Sequence, residues 1–173
     1  MRSMTGCADK GRKMAERKII YETENFILYT HGSPHIPRED GGHICITAKV
    51  PVNDRTEFSP AMAKEFVRLS MMAGEAFVKG MALGGVNIAR INYQENGNWA
   101  FRKQKPYKPF FHLHLYGRTE DSKTQEWGEA LNFPDPDTGF YDGMTPLTDD
   151  DIANIAKCMD ILSKTDRYDP KNW

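Results

Sequence analysis

Between Phe110 and Arg118 the chain alternates in a way that predicts a strand. Strand side chains point to opposite faces in turn, so Phe110, His112, His114 and Tyr116 share one face and Phe111, Leu113 and Leu115 the other. An apolar back and two imidazoles in front make this the most informative segment of the chain. Shorter β-type runs at Lys18 to Tyr21, Phe26 to Tyr29, His43 to Lys49 and Val86 to Tyr93 predict four further strands. The first two are parted by the turn-like Glu22-Thr23-Glu24-Asn25. Helical spacing is clearest after Ser59-Pro60, where Met62, Phe66, Leu69, Ala73, Ala76 and Phe77 fall on one face. Serine suits the N-cap, proline the first helical position, and Gly80 or Gly84-Gly85 the end. Asn96-Gly97 signals a turn, residues 98–109 a basic and aromatic loop, and 132–147 a long irregular crossing. Thr148 caps a last helix from about Asp149 to Lys164, whose three leading aspartates suit the positive helix end. The pattern predicts an α+β domain: an antiparallel sheet of about five strands with one main helix, plus a C-terminal loop and helix.

Composition narrows the class. The chain has 173 residues, enough for one domain, and its hydrophobic content of 39% predicts long polar loops. A net charge of −1 gives no general case for nucleic acid or an anionic membrane. No apolar run approaches a membrane span. Cys7, Cys45 and Cys158 are odd in number and irregularly spaced, which reads as reduced thiols in a cytosol rather than a disulfide or zinc framework. Residues 1–17 are small, polar and basic and read as a flexible leader. Residues 18–120 read as the domain, and 121–173 as an extension packed on it.

Imidazole titrates near neutrality and its nitrogen attacks phosphorus, giving a reactive phosphoramidate. His-x-His alone is weak evidence, shared among catalysis, metal binding and plain structure. Its surroundings say more. Gly42-His43-Ile-Cys-Ile-Thr-Ala-Lys49, then a linker, an amphipathic helix, a strand, and His112-Leu-His114 ending in Gly117-Arg118, resemble the histidine-triad (HIT) superfamily of nucleotide hydrolases and transferases. The family signature is three histidines alternating with apolar residues, and the resemblance covers roughly residues 20–120. Aligned on Gly117-Arg118, the middle histidine is His112, the last is His114, and the first position is Phe110. A register with His112 first, His114 as nucleophile and Tyr116 third ranks lower, because Arg118 then comes too early.

The resemblance implies a hydrolase that cleaves at the α-phosphate of a dinucleoside polyphosphate or nucleoside phosphoramidate. His112 would form a nucleotidyl-histidine, His114 would contact the phosphate and move protons, and His43 would sit beside the phosphate or ribose. It implies a purine pocket along the strand containing Tyr29, with His31, or His35 in its place, near the ribose. Asn92 or Asn96 would fill a phosphate-side position. Arg102, Gln104 and Lys105 lie in the basic loop that replaces the family's usual lead-in, and would suit a polyphosphate or, less favoured, a nucleic-acid end. No cofactor is required, a divalent cation can accompany a polyphosphate, no membrane is involved, and homodimers are common in the family. Two other readings stay open. Phe110 and the missing lead-in motivate a non-catalytic nucleotide-binding module. A metal enzyme of cupin-like fold would use His112, His114 and a third ligand such as His43 or Glu120.

Overall fold

A computed structural model describes residues 16–102 and 106–173. Five strands form one antiparallel sheet: β1 (Ile19–Glu22), β2 (Phe26–Thr30), β3 (His43–Ala48), β4 (Arg90–Gln94) and β5 (His112–Arg118), in the order β1-β2-β3-β5-β4. Two helices, α1 (Pro60–Leu83) and α2 (Asp149–Leu162), complete the architecture. The α+β expectation holds.

Alternation assigns the two faces of the sheet. Phe26, Leu28, Ile44, Ile46, Phe111, Leu113 and Leu115 point into one core. Phe66, Leu69, Met72, Ala73, Phe77 and Met81 of α1 meet them there, which the helical spacing of those residues anticipates. Ser59 caps α1, its hydroxyl accepting from the Met62 amide at 3.2 Å. The helix runs through Gly80 and ends at Gly84, with Gly85 in the left-handed region at φ 81°. Gly80 serves packing rather than termination, since a Cβ there would lie 2.7 Å from the backbone of Ile155 in α2. Thr148 caps α2 in a capping box with Asp151.

Two elements differ from the sequence expectation. The strand expected over Val86 to Tyr93 begins only at Arg90. Val86 and Ile88 are buried in the core, but pairing with β5 starts at the Ala89 amide, which donates to the Arg118 carbonyl at 2.8 Å. At Asn96-Gly97 the expected turn takes the form of a 3₁₀ turn over Gly97–Phe101, the second difference from a simple loop over 98–109. Among the described residues no helix is long and apolar enough to cross a membrane.

Candidate active site

The face of the sheet opposite α1 carries the chemistry. Register places Tyr29, Cys45, His114 and Gln94 in one row across β2, β3, β5 and β4. His43, Tyr116 and Asn92 make the next row, and Thr47 stands opposite His112 on the other side. The loop from 31 to 42 then folds back over this face. A backbone close approach holds it there: Gly41 sits at φ 123°, a Cβ on it would lie 2.4 Å from the Gly117 carbonyl, and the Gly117 amide donates to Gly42 at 3.0 Å. Only glycine permits that contact. Arg38 anchors the same loop to α2 through Asp151, with Nε to Oδ2 at 2.6 Å.

This folding collects all five histidines of the chain. His31 stacks on His43 at 4.6 Å between ring centroids, His35 lies 5.0 Å from His43, and His43 lies 5.0 Å from His114. His112 meets His114 edge-on at 4.6 Å. Trp99, Phe133 and Tyr141 enclose His35, at 5.9, 5.4 and 5.3 Å. The irregular crossing therefore supplies part of the wall of the site.

Hydrogen bonds set the proton positions. A carbonyl oxygen only accepts, so His112 carries its proton on Nδ1, which donates to the Phe110 carbonyl at 3.1 Å. Its Nε2 keeps the lone pair. The His35 amide donates to Nδ1 of His43 at 3.3 Å, which places the proton of neutral His43 on Nε2. That group donates to Nδ1 of His114 at 2.8 Å, so His114 is protonated on Nε2. The His114 ring is 3% exposed and its Nε2 has no hydrogen-bond partner among the described residues. The site thus presents a donor without a partner among the described residues, beside a nucleophilic nitrogen. Burial lowers every one of these pKa values. His31 falls to about 4 and His114 to about 2, the neighbouring histidines adding to the effect. His43 is pushed well below the ordinary value, and His112 is lowered too. These four imidazoles are neutral at pH 7.

Two cavities meet at Phe110. One, of 740 Å³, is lined by Asn53, Asp54, Glu95, Asn98, Phe110 and His112 among others. The other, of 440 Å³, is mostly apolar, with Ile19, Ile27, Tyr29, Val50, Val52 and Phe110 in its walls and Arg17 and Lys49 at its edge. Phe110 lines both and stacks on the His112 ring at 4.5 Å. It lies over the adjoining imidazole as an aromatic lid.

The remaining expected residues fall in distinct places. His31 bonds the Ser33 carbonyl through Nδ1 and lies inside the histidine cluster. Asn96 lies close enough to lower the pKa of Tyr116 against the effect of burial, and the Tyr116 hydroxyl meets Nδ1 of His35 at 2.9 Å. Asn92 stands opposite Tyr116 in the sheet. Arg102 packs over the Trp99 ring at 4.5 Å. Gln104 and Lys105 lie outside the described residues, as does most of the leader. Among the described residues the group able to hold a metal is His35, His43 and His114, not the trio expected around His112; Glu120 is exposed. Cys45 was not expected in the site, although its place two residues after His43 puts it on the same face. Nothing in the sequence pattern signals Phe133 or Tyr141.

No protein-family model matches the chain, and no curated protein does. Solved structures do. A hypothetical histidine triad nucleotide-binding protein from Sulfolobus tokodaii superposes with a TM-score of 0.53 at 13% identity, over 86% of this chain and 87% of that one. The chain has the histidine-triad fold. A zinc-bound histidine triad family protein from Mycobacterium smegmatis gives 0.54 at 20% identity, over 86% and 88%. A Hit-like protein involved in cell-cycle regulation from Bartonella henselae gives 0.52 at 12%, over 83% and 87%. Identities this low carry the histidine-triad architecture and not an activity.

Proposed function

We propose that this protein binds a purine nucleotide and hydrolyses it at the α-phosphate, with His112 as nucleophile. The observation that carries the reading is the His112 ring. It is fixed by the Phe110 carbonyl, it is neutral, and it stands in the wall of a cleft with Nε2 as its lone-pair nitrogen. The apolar cavity beside it takes the base, with Tyr29 and Ile27 as its floor. Nε2–H of His114 donates to a phosphoryl oxygen, which satisfies an otherwise orphaned buried donor. In this scheme Nε2 of His112 bonds to phosphorus as the leaving group departs, and water then releases the nucleoside monophosphate.

The cleft favours one of the two substrate classes. Among the described residues its lining includes Asp54 and Glu95 and no lysine or arginine. Arg55 neutralises Glu95, which leaves Asp54 as the unpaired charge of this wall among the described residues; it repels a polyphosphate more than the less charged nucleoside phosphoramidate, the better fit. The reading is tested by intact-protein mass spectrometry after brief mixing with adenosine phosphoramidate, alongside assay of released AMP. A transient adenylyl adduct and turnover, both absent in His112→Ala, support it. AMP binding by calorimetry with no turnover would leave the non-catalytic module, the reading that Phe110 favours.

A further inference from the structure

We propose that His35, His43, His114 and Cys45 form a binding site for a single divalent transition metal, zinc by preference. One ligating atom from each of the three histidines lies within 4.8 Å of the others. Two of these histidines form a tighter triangle with Cys45. Nε2 of His43 is 2.8 Å from Nδ1 of His114, and the Cys45 sulfur is 3.3 Å from each. Tetrahedral zinc, with bonds of about 2.0 Å to nitrogen and 2.3 Å to sulfur, sets nitrogens about 3.4 Å apart and nitrogen from sulfur about 3.6 Å. The triangle therefore needs to open by only roughly half an ångström on its longest move to seat the ion. The sheet supplies all three corners: Cys45 and His114 are register partners, and His43 is two residues from Cys45 on the same face. His35 reaches over them from the folded-back loop as a fourth ligand.

The donor set fits zinc chemically. It has three imidazoles and one thiol and no carboxylate, a combination that selects borderline metals over magnesium or calcium. Binding moves the His43 proton from Nε2 to Nδ1, in exchange for the contact from the His35 amide. The Cys45 thiol releases its proton to solvent as it coordinates. Nε2–H of His114 stays in place, since the ion uses Nδ1, so the site is compatible with a phosphate contact without depending on it. The ion would tie the 31–42 loop to the sheet and place positive charge beside His112.

The test uses the whole chain, stripped with a chelator and titrated with cobalt(II) and then zinc, without nucleotide. The expected result is one equivalent of cobalt, with the strong visible bands of tetrahedral coordination and a thiolate charge-transfer band, both displaced by zinc. Cys45→Ser removes the charge-transfer band, and His35→Ala weakens zinc binding at least tenfold in competition with a chelating dye. His112→Ala binds as the parent does. Absence of stoichiometric binding in the folded parent overturns the proposal. So does indifference of binding to either His35→Ala or Cys45→Ser, or its loss in His112→Ala. Nucleotide binding, measured separately by calorimetry, reports on the hydrolase reading alone.

Discussion

Phe110 shows how one residue tunes a site it does not complete. A histidine in its place would bring a polar ring. The phenylalanine stacks on His112, shares both cavities and keeps 40% of its own surface exposed. Stacking of this kind is worth about 0.5–1.5 kcal/mol, which is roughly a two- to tenfold effect on positioning. Phe110→Ala is expected to lower kcat of the proposed phosphoramidate hydrolysis by about that factor with little change in Tm. Steady-state assays beside thermal melts check it, and a large fall in Tm would show that the ring is structural instead.

At the scale of elements, the helices and the glycines that let backbones touch decide the site's position. Gly80→Ala adds a methyl where α2 leaves no room. Helix propensity alone favours alanine by about 1 kcal/mol, but overpacking costs about 1–3 kcal/mol and dominates here because the opposing atoms are backbone. Urea unfolding is expected to show a net loss. Arg38 and Asp151 join the 31–42 loop to α2. Burial raises the Asp151 pKa, yet hydrogen bonds from Arg38 and Thr148 outweigh it and leave the carboxyl below its ordinary value of 3.8. A depressed carboxylate stabilises the fold above that value and loses its contribution as pH falls through the folded pKa. Arg38→Ala strands the wholly buried Asp151 charge and is expected to destabilise by about 3 kcal/mol, read from denaturant midpoints at pH 7.

The whole molecule is built around a histidine cluster in which His31, His43, His112 and His114 are kept from protonation. Their pKa values are depressed in the fold, so between pH 6.5 and the folded value the unfolded chain binds more protons and stability declines as pH falls. His31, at about 4 in the fold, alone costs about 2 kcal/mol at pH 5 relative to pH 7. His43 and His114 add to this in the same direction. Metal-free protein is expected to lose several kcal/mol between pH 7 and pH 5, measured by urea unfolding across that range. A flat profile would contradict the buried cluster. The walls can be tested as well. Phe133→Ala with Tyr141→Ala uncovers His35, which should then react faster with diethyl pyrocarbonate, as peptide mapping would show.

Local pattern determined much of this protein. Period-two alternation placed His112 and His114 on one face of a strand and its apolar partners on the core. Helical spacing after Ser59-Pro60 defined α1, and Thr148 marked α2. The short Gly-His and His-Leu-His motifs, in order, pointed to the histidine-triad architecture. Periodicity could not show that Val86 and Ile88 are buried without pairing, because an extended apolar segment looks the same with or without a partner strand. Nor could it bring His31 and His35 to the sheet. That required Gly41 to meet Gly117 and Arg38 to meet Asp151, contacts between residues 76 and 113 positions apart. The strand bearing His43 carried Cys45 on the same face in plain view, but only sheet register set its sulfur against His114. Tertiary structure decided the cluster, because proximity across strands and loops depends on packing that one-dimensional spacing does not encode.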